Sequence, residues 1–284
     1  MIKRYFILVL IALAMSMVPG QCQDIKLIIR GDDFGMTQGS LVAFERAFNE
    51  GVLQCGAMVV PGPWSEAASE LARKNPGWCV GIHLCLFGEW RGYRWRPVLP
   101  YDKVPSIVDE DGFLYQSPNQ LFAHKPKLEE IDAELRAQVL LAKKRGVNIA
   151  YVDTHYIGLN SYPGIDQVIK KLASDFGVPI SGEVGERHMR TVYTTPIDQK
   201  LKSAVQNLEA LTPGLWLWVS HIGIDSPEQR ALIHWEPKDI FVDAGVGRHR
   251  AEELNVLTSL EVKSEILRKG IVLTNYREVW KERR

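Results

Sequence analysis

Short apolar runs recur along the chain at residues 27–29, 57–60, 80–84, 149–152, 178–180, 215–219, 240–242 and 271–273. Most are continuous and not alternating, the pattern of parallel strands covered on both faces. Helical spacing fills the intervals. Ile165, Val168, Ile169, Leu172 and Phe176 fall on one face of a helix. Residues 129–145 repeat Ile131, Leu135 and Val139 at four-residue steps. Residues 35–48, 65–74, 197–211, 227–233 and 252–269 are further helical candidates. About eight strands alternating with about seven helices predict one α/β domain, a (β/α) barrel with some irregularity. An open doubly wound sheet is the alternative. Residues 87–127 break the rhythm, and their Trp, Tyr, Arg and Pro content predicts a long ordered loop or insertion.

The first 22 residues stand apart from this pattern. Lys3 and Arg4 precede the apolar run 5–18, and polarity returns at Gly20-Gln21-Cys22. That order predicts a secretory signal peptide cleaved near Cys22, and a mature domain of residues 23–284 exported to the periplasm or the extracellular space. An uncleaved anchor is the alternative, but the run is short of the ~20 residues that span a bilayer, so no stable membrane span is expected after cleavage. Gln21 before Cys22 argues against a lipoprotein. The 284 residues balance 34 Lys+Arg against 34 Asp+Glu; loss of Lys3 and Arg4 leaves a net charge of −2. Bulk charge therefore gives no reason to expect nucleic acid or an anionic membrane as partner. Cys55, Cys79 and Cys85 remain after cleavage. Cys79, His83 and Cys85 share parity on one extended segment, but with no paired CxxC they read as small buried residues before they read as metal ligands.

Polar residues cluster just after the strands. Asp32 and Asp33 follow the first run in IIRGDDFGM, His83 ends the third in VGIHLCL, Asp153 and His155 follow the fourth in YVDTHYIG, and His221 follows the sixth in WVSHIGID. In a parallel barrel these positions share the C-terminal rim, where active sites of that architecture lie. Asp and His with open positions suit a catalytic divalent ion. One member of the Asp32-Asp33 pair can bind the ion while its neighbour takes a proton from bound water. His221 can protonate a leaving group or steady an oxyanion. The arrangement suits metal-assisted hydrolysis of an amide or ester. Capping of helix 35–48 is the alternative use of Asp32-Asp33. Asp153 is a candidate for orienting an imidazole.

These four segments, in this order, resemble the YdjC-type carbohydrate deacetylases, which include chito-oligosaccharide deacetylases. So does the C-terminal run HRAEELNVLTSLEVKSEILRKGIVLTNYREV. The resemblance covers about residues 25–280. It implies an irregular TIM-like barrel, one divalent metal and hydrolysis of the amide C–N bond of an N-acetylated sugar or oligosaccharide. Asp33, His83 and His155 would bind the metal, Asp32 would be the general base and His221 the acid. Zinc or magnesium is expected first, zinc fitting the imidazoles better; manganese, cobalt and nickel are compatible. The chain departs from the family at Ile157 and Leu159, where further histidines often stand, and at His221-Ile222-Gly223 in place of His-Pro-Gly. The segment GEWRGYRWRPVLP, with Glu89, Trp90, Tyr93, Arg94 and Trp95, is a candidate sugar-facing wall, the alternative being a loop pinned by its own aromatics. Tyr156 and Glu183 are further substrate-contact candidates. His124, His188, His234 and His249 read as surface or structural, and Arg248 and Arg250 as solvated charges. A metal-dependent sugar isomerase or lyase on the same scaffold, and a non-catalytic carbohydrate-binding protein, are the rival functions. The adjacent Asp pair favours hydrolysis over binding.

Overall fold

A computed structural model describes residues 24–156, 162–236 and 245–284. The expected signal at 1–22, the expected strand at 240–242, and Ile157 and Leu159 lie outside the described residues. In chain order the elements are β1 (Ile25–Phe34), α1 (Gln38–Glu50), β2 (Cys55–Met58), α2 (Ser65–Lys74), β3 (Cys79–Leu84), β4 (Trp90–Arg91), α3 (Pro118–Ala123), α4 (Leu128–Lys144), β5 (Ile149–Thr154) and α5 (Ile165–Phe176). They continue with β6 (Arg187–His188), α6 (Lys200–Glu209), β7 (Gly214–His221), α7 (Pro227–Arg230), β8 (Ile233–His234), α8 (Gly245–Thr258), α9 (Leu260–Arg268), β9 (Val272–Leu273) and α10 (Tyr276–Glu282).

The main sheet is parallel, in the order β5-β3-β2-β1-β7-β6, with β9 beside the start of β1. This corrects the expectation of a TIM-like barrel: the sheet is an open, curled half-barrel. The apolar run at 178–180 does not become a full staple between β5 and β6. It makes one bridge, Val152↔Ile180, because Pro179 has no N–H to donate. Gly182 and Gly185, at φ 91 and 80, then turn the chain away. Among the described residues the two-residue β6 pairs only with β7. The expected helix at 252–269 is two helices, because Ser259 leaves helical geometry and caps α9 by accepting from Val262 N. The expected helix at 227–233 ends at Arg230, and β8 then pairs with β4 in a separate antiparallel ribbon.

Strand parity divides the sheet into two faces. Leu27 and Ile29 of β1 join the large core packed under the helices. Ile28, Cys55, Ala57, Cys79, Tyr151 and Leu217 form a second cluster on the inner face, closed by Tyr276 and Val279 of α10. Continuing each strand on that parity reaches Arg30 and Asp32 on β1, His83 on β3, Asp153 on β5 and His221 on β7. The inner face is thus apolar at one end and polar at the other. Residues 87–127 are ordered, with Trp95, Val104, Ile107, Leu114 and Leu121 in the core. The Val98 and Leu99 amides donate to the buried Glu134 of α4. Among the described residues no helix is long and apolar enough to cross a membrane.

Gly81 shows how tightly the inner face is filled. A Cβ there would lie 2.5 Å from the Tyr151 ring. Gly81→Ala is expected to lower stability by about 1–3 kcal/mol in denaturant unfolding; an unchanged midpoint would contradict this packing.

Candidate metal centre and catalytic residues

Successive residues of a strand point to opposite faces, yet Asp32 and Asp33 reach the same histidine. A bulge makes this possible. Between Gly31↔Gly56 and Phe34↔Met58, three steps along β1 match two along β2. Asp33 absorbs the extra residue at φ 68, a left-handed conformation that Asp tolerates better than most side chains. His83 Nε2 consequently lies 3.9 Å from Asp32 Oδ2 and 3.8 Å from Asp33 Oδ1. Neither aspartate caps α1. That role belongs to Thr37, which accepts from Ser40 N in a capping box.

Each imidazole is held by a carboxylate on one nitrogen. His83 Nδ1 lies 2.8 Å from Asp153 Oδ2, its register partner on β5. His155 Nε2 lies 2.9 Å from Glu89 Oε2. The other nitrogens, His83 Nε2 and His155 Nδ1, approach Asp33 Oδ1, the latter at 3.3 Å. Asp33 Oδ1 is buried without a hydrogen-bond partner, while Oδ2 accepts from Arg250 at 2.7 Å. Asp33, His83 and His155 therefore offer three converging ligand atoms, all buried and within 4.8 Å of one another. Asp32, His83 and Asp153 form a second such group. In that group Arg30 already occupies Asp32, at 2.6 and 2.8 Å, and reaches Asp153 Oδ2 at 3.1 Å. The first group is the better cation site, because the Arg30 guanidinium already bridges the two carboxylates of the second. Carboxylate-backed imidazoles of this kind fix which nitrogen faces a metal.

The charges fit a divalent cation. Asp32, Asp33, Glu89 and Asp153 are buried with the guanidiniums of Arg30 and Arg250. Against burial, Asp153 and Asp32 raise His83, and Glu89 raises His155 well above its ordinary value. Protons on the two imidazoles thus balance the two remaining negative charges, and a divalent cation would take their place. Burial pushes the Asp33 carboxyl up, but Arg250 and His155 outweigh it and leave it well below the usual carboxylate range. Asp32 is also held low, with burial outweighed by Arg30 and His83. Burial holds His221 below its ordinary value, against the pull of Asp33 and Asp32. His221 is the register partner of Asp32 across β1 and β7, its Nδ1 has no partner, and Tyr193 packs 4.6 Å from its ring.

The remaining expected residues are placed differently. Glu89 sits behind His155, and Trp90 is buried with its Nε1 toward Met36 Sδ. Trp95 is buried, Arg94 pairs with Asp109, and the Tyr93 hydroxyl donates to Glu228 at 2.6 Å. These contacts pin the 87–95 segment to the domain. Tyr156, next to His155, is 37% exposed at φ 86. Glu183 lies with Thr154, Asp166 and Ser181 along a cavity of about 260 Å³. Cys55, Cys79 and Cys85 are buried free thiols, apart from the group of converging ligand atoms. The sequence reading missed Arg30 and mistook Arg250 for a solvated charge. Arg30 could have been found as a cation among the buried positions of β1, two residues before Asp32 and on its face. Arg250 and Glu253 stand out as charges on the stripe shared with Leu254 and Leu257 of α8. His234 and His249 are also buried.

The fold and centre define an open-sheet α/β protein with a buried carboxylate–imidazole site able to hold a metal. The chain belongs to the YdjC-like protein family, whose model matches residues 26–268. It is 27% identical over 269 residues to a carbohydrate deacetylase of Brevibacillus brevis, covering 89% of this chain and 99% of that one. It is 28% identical over 263 residues to a carbohydrate deacetylase of Enterococcus faecalis, covering 88% and 97%. The fold matches the crystal structure of a candidate cellobiose-phosphate cleavage protein from Enterococcus faecalis V583, with a TM-score of 0.71 at 24% identity, covering 90% and 99%.

The carboxylates behind the imidazoles carry a test. Asp153→Ala and Glu89→Ala are each expected to weaken binding of a divalent ion about 10–100-fold in calorimetric titration. Affinities equal to the wild type would show that neither carboxylate aims a ligand.

Proposed function

We propose that the protein is an exported, divalent-metal-dependent deacetylase that hydrolyses the acetyl amide of an N-acetylated sugar or oligosaccharide. Convergence of two carboxylate-backed imidazoles on the unpartnered Asp33 Oδ1 carries the reading, and membership of the YdjC-like family supports it. Asp33, His83 and His155 would hold the ion, with zinc the best match to two imidazoles. Such an ion supplies a Lewis acid that polarises a carbonyl and acidifies water.

Asp32 is the general base in this account. Arg30 grips both of its oxygens, which fixes the carboxylate plane and keeps it ionised at neutral pH, ready to accept a proton. The register partner His221 approaches from the neighbouring strand, where it delivers a proton to the departing amine. Arg250 holds Asp33 by its outer oxygen, so the inner oxygen stays turned toward the imidazoles. Tyr156 is the nearest exposed aromatic to His155 in sequence and is assigned to the sugar ring; Glu183 is assigned to a more distant contact. The segment 1–22 directs export, and amino-terminal sequencing of protein recovered outside the cytoplasm would read its removal.

The test is acetate release from a panel of N- and O-acetylated sugars after chelation and re-addition of single metals. Chelation is expected to abolish release, and one of the added ions to restore it. Asp32→Asn and His221→Ala are each expected to lower kcat about 10²–10⁴-fold. Release that survives chelation, or an Asp32→Asn enzyme at full rate, would overturn the proposal. Interconversion of the sugar without acetate would point to the isomerase or lyase reading, and metal-independent sugar binding without turnover to a binding protein.

A further inference from the structure

The centre leaves one buried charge pair unused. Lys200, at the start of α6, is 0% exposed, and Glu253 of α8 is 1% exposed. Their charged atoms are 3.1 Å apart. Lys200 Nζ also donates to the carbonyls of Val192 and Tyr193, at 2.8 and 3.1 Å. Glu253 uses its other oxygen, Oε2, to accept from the Ser220 hydroxyl at 2.8 Å and from the His221 backbone N–H at 2.9 Å. One end of the pair thus grips the segment carrying Tyr193, and the other grips the end of β7 carrying His221. The Tyr193 ring and the His221 imidazole meet between them, 4.6 Å apart.

Stability does not explain such a pair. Two charges taken out of water roughly cancel their mutual attraction, and neutral residues of similar volume often serve as well. What the pair supplies is geometry. Every proton on Lys200 Nζ and both oxygens of Glu253 are spent on named partners, so His221 cannot shift along β7, nor Tyr193 lift from it, without stranding a buried charge. None of these contacts involves Asp33, His83 or His155. We infer that Lys200 and Glu253 are positioning residues that fix His221, through its backbone and through Tyr193, against Asp32 and the metal-type centre. This rests on the role of His221 proposed above.

The test uses the full chain with Lys200→Met and Glu253→Gln combined, which removes both charges together and leaves neither stranded. In the metal-loaded enzyme, kcat is expected to fall about 10²-fold, as for misplacement of a reacting group by an ångström. KM is expected to stay within about 3-fold and the bound-metal content to be unchanged. Placed on a His221→Ala background, the same pair is expected to change kcat less than about 2-fold, because contacts acting through one residue are not additive. A full 10²-fold loss on that background, or no loss on the wild-type background, would overturn the inference. A second readout is independent of turnover. In nitrogen-detected NMR of the imidazoles, the His221 ring signals are expected to shift and broaden in the double variant, while those of His83 and His155 stay in place. His221 signals superimposable on those of the wild type would overturn the inference even if the protein released no acetate. A His221→Ala enzyme at full rate would instead count against the proposed acid, and the ring signals would still report whether the pair holds His221.

Discussion

Two neighbouring carboxylates on one strand cannot share a pocket unless the strand is broken between them. Here the bulge at the end of β1, with Asp33 at φ 68, supplies the break. Everything else in the centre follows from it. Asp32 keeps strand parity and remains on the inner face with Arg30. Asp33 leaves that parity and turns one oxygen toward His83 and His155. The same turn continues into α1, whose Thr37 cap takes over the helix N-terminus, freeing both carboxylates from that duty. Regular strand geometry at Asp33 would point its side chain to the opposite face and take Asp33 Oδ1, the oxygen on which His83 and His155 converge, out of the centre.

The polar end of the inner face is costly to bury, and the molecule offsets the cost by pairing. Arg30 joins Asp32 to Asp153, Arg250 takes the outer oxygen of Asp33, and each imidazole is backed by a carboxylate. With both imidazoles neutral, these pairs leave an excess of negative charge at the atoms that converge, and a divalent cation is what such an excess accommodates. The centre is a set of buried ligand atoms within 4.8 Å of one another. Its rigidity comes from β1, β3, β5 and β7, and from α8, which reaches in with Arg250.

Much of this was legible in the sequence, for identifiable reasons. Continuous apolar runs announce parallel strands, and a polar residue just beyond each run announces a rim, so Asp32, Asp33, His83, Asp153, His155 and His221 could be read directly. The open edge of the sheet could not. Residues 178–180 look like a strand in composition, and only the missing N–H of Pro179 with the turns at Gly182 and Gly185 reduces them to one bridge. The partners of the site were hidden differently. Arg250 is solvated in any reading that treats charge as surface; its place on the buried stripe of α8 becomes visible only when the helix is extended back to Gly245. Glu89 and Trp90 belong to an aromatic-rich segment that suggests a sugar platform, yet burial turns them inward, Glu89 behind His155 and Trp90 into the core.

The claim on which the account rests is that Asp33, His83 and His155 close on one divalent ion. Anomalous diffraction at the zinc edge from crystals of the zinc-loaded protein tests it most directly. One peak bounded by Asp33 Oδ1, His83 Nε2 and His155 Nδ1 is the predicted result. A peak between Asp32, His83 and Asp153, or none at the centre, would contradict it.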